Sequence, residues 1–195
     1  MPNRLSSEQW SRYWEKGTIT TFLGRFQNNY DGLVLKFWQE QLSELPNTSK
    51  IIDLGTGNGA LALIAATYGD AESKEFQVTA IDYANIDPLN NVLSKQPTEL
   101  VKKIDFRSKV SMEDTGFEDA SFDCAISQFG FEYGSPAATI FELGRILRDK
   151  AGIIVMMHRQ GSVLHQQAVE GIEQASICLA SELTPKLKDL CVRLD

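Results

Sequence analysis

Apolar residues in this chain follow two alternating rhythms. Short runs rich in branched and aromatic residues recur at Ile51–Leu54, Gln77–Ile81, Ile104–Ser108, Phe122–Ser127 and Gly152–His158, each about the length of a buried strand. Helical patterns lie between them, over Asn58–Tyr68, Asp87–Lys103 with a break near Pro97, and Pro136–Leu147. Alternating βα units with buried strands predict an α/β fold, a Rossmann-like, doubly wound and mainly parallel sheet with helices on both faces. Right-handed crossovers then put any ligand beyond the C-terminal ends of the strands, at the switch point.

The N-terminal residues read as a helical cap. Ser6 to Lys16 forms a short helix with Trp10, Tyr13 and Trp14 on one face, and Gly17 to Asn28 is a linker. Tyr30, Leu33, Val34, Phe37, Trp38, Gln41, Leu42 and Leu45 follow the i, i+3, i+4, i+7 spacing of an amphipathic helix, which Pro46-Asn47 ends. After the fifth strand, Ser162 to Leu179 reads as helix and Ser181 to Leu190 as a polar amphipathic stretch around Pro185. The chain therefore divides into a cap or lid (1–48), a core (49–160) and a C-terminal helical segment (161–195) within a single domain.

The 195 residues suffice for one domain with a sizeable core. No stretch approaches the ~20 apolar residues of a membrane span, and no apolar signal-peptide core follows the N-terminus. Cys124, Cys178 and Cys191 are far apart and form no C-x-x-C pair, which points to neither a zinc site nor a disulfide framework, and to a reducing, cytoplasmic setting. His158 and His165 lack nearby acidic partners in a ligand pattern, so no metal is expected. A net charge of −7 with no clear basic patch argues against nucleic acid and for a small-molecule partner.

The richest stretch is Asp53-Leu54-Gly55-Thr56-Gly57-Asn58-Gly59-Ala60, set between the first strand and the first core helix. Alternate glycines let a flat ligand lie on bare peptide, and the helix start offers unpaired N–H groups. Gly55-x-Gly57-x-x-Ala60 also satisfies the loose dinucleotide pattern, so an NAD(P)-dependent oxidoreductase is one alternative. Asp82, ending the second strand, suits ribose hydroxyls under either reading. Asp53 separates them: an acid there is a poor neighbour for a pyrophosphate and a good one for a cationic ligand.

The segment resembles the D/E-x-G-x-G-x-G signature of class I S-adenosylmethionine-dependent methyltransferases, small-molecule "type 11/25" members in particular. Ser121-Phe122-Asp123-Cys124-Ala125-Ile126-Ser127 is similar to the "SFDvVvs" fourth strand of that family, and Thr115–Ala120 falls where it writes "LPFpdg". Glu142-Leu143-Gly144-Arg145-Ile146-Leu147-Arg148-Asp149-Lys150-Ala151-Gly152 resembles its "E-x-x-R-v-L-k-p-G-G" helix and turn. Where the fourth strand ends, Ser127-Gln128-Phe129-Gly130 replaces the Asn/Asp-Pro-Pro-Tyr of amino-methylating DNA enzymes.

The resemblance implies the fold, S-adenosyl-L-methionine as cofactor with S-adenosyl-L-homocysteine as product, and a set of roles. Gly55, Thr56, Gly57, Asn58 and Gly59 would face the methionine part, Asp53 its amino group and Asp82 the ribose. Ser111 stands where the family writes an adenine-binding Asp, followed by Met112; Glu113 or Asp114, one turn on, is a substitute. Tyr83 would sandwich the base, and Ser127 and Gln128 complete the pocket. Tyr13, Arg25, Tyr30, Phe129 and Tyr133 are lid or substrate candidates, and His158 and Glu132 are candidates for a general base. The family normally adds a further helix-strand unit and an antiparallel strand after the fifth; their absence predicts a truncated chain or a sheet edge completed by a homo-oligomer. A non-catalytic cofactor-binding domain is the remaining alternative, suggested by Ser111 and the short C-terminus.

Overall fold

A computed structural model describes residues 4–22, 26–92 and 98–180. They fall into two compact units, Met1–Met157 and His158–Asp195. The cap and the sheet thus fall in one unit, and the division comes directly after the fifth strand.

The first unit opens with α1 (Ser7–Trp14), whose start is sealed by a reciprocal pair: Ser6 Oγ accepts from Gln9 N, and Gln9 Oε1 accepts from Ser6 N. The amphipathic stretch becomes α2 (Gly32–Ser43), burying Trp38 and Leu42. The core follows as β1 (Lys50–Leu54), α3 (Ala60–Ala71), β2 (Gln77–Asp82), α4 (Thr98–Val101), β3 (Ile104–Ser108), β4 (Phe122–Gln128), α5 (Pro136–Ile146) and β5 (Leu147–Met156). In the second unit α6 spans Val163–Ala180.

All strand pairs are parallel, in the order β3-β2-β1-β4-β5. The chain winds outward from β1 to β3, then returns to lay β4 on the other side of β1, so the switch point lies between β1 and β4. Alternation along the strands feeds two cores. Ile51, Val78, Ile104 and Ile126 pack with α2 and α3, whereas Ile52, Leu54, Ile81 and Ala125 pack with Leu143 and Ile146 of α5. The sheet is covered on both faces, as the apolar strands require.

One strand departs from the pattern, and one helix is described only in part. Within the stretch expected as helix over Asp87–Lys103, the described residues show turns at 88–91 and α4, and 93–97 lie outside the described residues. β5 begins at Leu147, before the expected Gly152, because Leu147 pairs with Phe122. A bulge, in which Lys150 takes φ +66°, then restores register at Cys124–Gly152.

Several motif residues turn out to be fasteners. Glu142 is buried and accepts from Thr115 N (2.8 Å) and Thr115 Oγ1 (2.6 Å), while Arg145 clasps both its oxygens and reaches Phe117 O and Asp119. The Arg145 hydrogen bond, with those from Thr115, holds the Glu142 carboxyl down at about 2. Asp123 accepts from Lys50 N and Arg148 Nη1, tying the start of β1 to β4 and β5. Lys74 Nζ takes the last carbonyls of α2, at Leu42 and Ser43, and that of Leu45 just beyond it.

Candidate cofactor crevice

The turn after β1 can be built only from glycine at its key points. Gly55, Gly57 and Gly59 all have left-handed φ, +67°, +55° and +87°, and Gly59 caps the start of α3. Thr56 N donates to Ile81 O, holding the turn against β2. Across the switch point, Gly130 lies so close to β1 that an added Cβ would stand 2.8 Å from Leu54 O. Ser127, fully buried, completes the join: its Oγ donates to Leu54 O (2.7 Å) and accepts from Phe131 N (3.1 Å).

One buried carboxylate stands at each end of the turn. Asp82 Oδ2 accepts from Gly57 N (2.7 Å) and Oδ1 from Ala84 N (2.8 Å), so each oxygen keeps a further lone pair. Burial raises its pKa despite those bonds. Asp53 accepts from Thr56 Oγ1 (2.6 Å); burial, opposed by that bond and aided by the charge of Asp82, pushes its carboxyl up to about 7. A carboxylate held this way gains most from a cation beside it.

Two small cavities flank the turn. One, of about 50 Å³, includes Asp82, Tyr83, Met112 and Tyr133 in its walls; the other, of about 30 Å³, includes Asp53, Thr56, Tyr30 and Gln128. Trp14, Thr21, Gly55 and Phe129 wall both, so the two are ends of one crevice along the glycine turn. Trp14 is the tightest part of the partition, since a Cβ on Gly57 would lie 2.3 Å from its ring.

α1 is fastened over this crevice by bonds at each end. Ser7 Oγ donates to Tyr83 O, Ser11 Oγ accepts from Asn85 N, and Asn58 Nδ2 donates to Trp14 O and Thr18 O. Arg4 pairs with Glu113 at 2.7 Å and lies over the Tyr83 ring, 5.7 Å from its centroid.

The structure thus gathers Asp53, Gly55, Thr56, Asp82, Tyr83, Met112, Gln128, Phe129, Tyr30 and Tyr133 around one crevice. Other expected residues do different work. Asn58 Nδ2 ties the glycine turn to the end of α1 and the residues after it, and Ser127 spends its hydroxyl on backbone. Ser111 donates to Glu113, and Glu113 also takes Arg4 and Ser135 N, so neither walls the cavities. Burial raises the Glu113 carboxyl, but those partners outweigh it and hold it below the usual range. Tyr13 packs edge-on between Trp10 and Trp14. Glu132 sits in the 3₁₀ turn Phe131–Tyr133 after β4, while His158 opens the second unit and Arg25 lies outside the described residues. Trp14, Arg4, Thr21 and Gly130 also line the crevice, which spacing did not reveal; of these, Gly130, directly beyond a strand end, carried a local signal.

Residues 52–156, more than half of the chain, match the family described as a methyltransferase domain. The chain belongs to that family. Among solved structures, the YcgJ protein from Bacillus subtilis is 19% identical with a TM-score of 0.53, over 64% of this chain and 50% of that one. Geranyl diphosphate methyltransferase in complex with S-adenosylmethionine is 16% identical with a TM-score of 0.56, over 77% and 59%. The [4+2]-cyclase SpnF is 18% identical with a TM-score of 0.58, over 84% and 66%. This methyltransferase-family chain spans about half the length of the first of these structures, and at such identities the likeness is one of fold. No curated protein sequence matches it. Among the described residues no helix is long and apolar enough to cross a membrane, and no cluster of three or more potential metal ligands occurs.

Proposed function

We propose that the chain binds S-adenosylmethionine along the Gly55–Gly59 turn and transfers its methyl group to a small-molecule acceptor. The observation that carries this reading is the pair of buried carboxylates, Asp53 and Asp82, standing at opposite ends of a bare-backbone turn. Their fit to the cofactor is chemical. Asp82, with a lone pair left on each oxygen, suits the two ribose hydroxyls, and Met112 and Tyr83 offer apolar surface to a base. Asp53, buried and raised, suits an ammonium. A pyrophosphate laid on this turn would face Asp53 with a like charge, which disfavours a dinucleotide.

Bound there, S-adenosylmethionine supplies a methyl group on a positively charged sulfur, a leaving group that needs no further activation. The residues of this chain then have to orient and to exclude water. Trp14, Phe129 and Tyr133 supply apolar cover, and α1 is the lid that carries part of it. For an acceptor that carries a proton at neutral pH, Glu132, in the turn directly after β4, is the base we propose. The fold neighbour named as a cyclase favours a second reading, in which the cofactor is bound without methyl transfer.

Calorimetry with S-adenosylmethionine, S-adenosylhomocysteine and NAD tests the first step, with micromolar binding expected for the first two and none for NAD. Asp82→Ala should weaken both by at least about tenfold, the worth of a charge-assisted hydrogen bond. Transfer of labelled methyl from the cofactor into a metabolite extract separates the enzyme from the non-catalytic reading. Tight NAD binding with no adenosyl ligand bound would overturn the proposal.

A further inference from the structure

The cavity beside Asp53 contains a donor that the protein itself does not use. Gln128 ends β4, and only 9% of its surface is exposed. The indole N–H of Trp38, a fully buried residue of α2, donates to its Oε1. An indole can only donate, so the oxygen must face Trp38 and the amide cannot be turned over. Nε2 is therefore the half turned away from Trp38. It is buried, and no hydrogen bond of ordinary geometry reaches it within the protein. The nearby Tyr30 hydroxyl feels the amide without closing such a bond, and burial keeps the Tyr30 phenol protonated, well above its usual range.

A folded protein leaves few buried donors unmade, and at a site such a group marks where a ligand's acceptor belongs. Asp53 stands in the wall of the same small cavity. One anion and two neutral donors around so little space complement a zwitterion: an ammonium on Asp53 and a carboxylate on Gln128 and Tyr30. We infer that Gln128, oriented by Trp38, reads the carboxylate of the ligand's amino-acid end and makes the site selective for adenosyl amino acids over adenosyl compounds lacking that end. This rests on the cofactor reading above and adds a specificity element to it. Trp38 becomes a positioning residue, acting through Gln128 from a helix of the cap. A site built around a polar group rejects the analogue without it more strongly than an apolar pocket rejects a missing methylene.

The test compares two ligands on three proteins by calorimetry: S-adenosylhomocysteine, which has the amino-acid end, and 5′-methylthioadenosine, which lacks it. Gln128→Glu keeps the acceptor for Trp38, and with it the packing, but replaces the free donor with an anion. It should weaken S-adenosylhomocysteine about 100-fold and leave 5′-methylthioadenosine within about threefold. Trp38→Phe keeps the amide but frees its orientation, and should lose about tenfold on S-adenosylhomocysteine alone. Equal losses on both ligands would mean that the Trp38–Gln128 pair is merely structural, and no loss on either would also overturn the inference. If the unmodified protein binds 5′-methylthioadenosine as tightly as S-adenosylhomocysteine, the specificity claim falls while the cofactor reading stands. Binding of neither ligand takes both down.

Discussion

Asp53 is where stability and function oppose each other within one side chain. Its carboxyl is raised from 3.8 to about 7 in the fold, chiefly by burial. Between those values the folded state holds more protons than the unfolded one, so folding stability falls as pH rises from about 4 to 7 and then levels off. Asp53→Asn removes the penalty while keeping an acceptor for Thr56. The variant should be more stable at pH 8 by up to about 4 kcal/mol and little changed near pH 4, which denaturant titration at the two pH values would show. The same residue predicts the opposite trend for ligand binding. S-adenosylhomocysteine affinity should fall up to tenfold per unit as pH drops below about 7, with protons released on binding, and Asp53→Asn should flatten that dependence. A pH-independent affinity in the unmodified protein would contradict the placement of a cation beside Asp53.

Between elements, the decisive contact is α1 on the glycine turn. Gly57 has φ +55°, and a methyl group there would meet the Trp14 ring at 2.3 Å. Gly57→Ala therefore suffers both a left-handed backbone, about 1–2 kcal/mol, and a clash that only displacement of Trp14 relieves. In a Trp14→Ala background the clash disappears, so a double-mutant cycle on unfolding free energy should show coupling of about 1–3 kcal/mol. Additive effects would place the indole elsewhere. The same contact makes Trp14 a reporter of the proposed binding: its fluorescence should change on addition of S-adenosylmethionine, because Trp14 walls both cavities of the crevice. The motif pair on α5 behaves differently. Glu142 and Arg145 line neither cavity of the crevice and instead pin the Thr115–Asp119 segment, so Glu142→Gln should lower stability by about 2 kcal/mol without altering ligand affinity at a temperature where the protein stays folded.

Across the whole first unit, burial is graded through the sheet. β1 and β4 are buried almost throughout, whereas β5 is intermediate or exposed along its length and, among the described residues, pairs only with β4. Hydrogen exchange should find the slowest amides in β1, β2 and β4, with those on the outer side of β5 exchanging orders of magnitude faster. Uniform protection of β5 would show that something covers that edge in solution.

Much of this architecture was legible in the residues alone, for a physical reason. Strand and helix periods are set by neighbours two to four positions apart, and a turn that needs left-handed backbone must write its glycines in sequence. The βα alternation, the Gly55–Gly59 turn and the two carboxylates at strand ends are local in this sense. The bulge before Gly152 was not, because pairing of Leu147 with Phe122 across the sheet overrode local preference.

Side-chain direction is the part that spacing does not encode. Ser127, Asn58, Ser111 and Glu113 all lie where a ligand contact is expected, yet Ser127 Oγ and Asn58 Nδ2 are spent on backbone, and Ser111 Oγ and the Glu113 carboxylate on one another and on Arg4. Trp14 and Trp38 read as ordinary apolar positions of amphipathic helices. Only folding brings one ring onto Gly57 and the indole N–H of the other to Gln128, across contacts that span 43 and 90 positions of chain. Short-range rhythm determined the sheet and the place of the crevice; packing between distant segments decided which atoms face it.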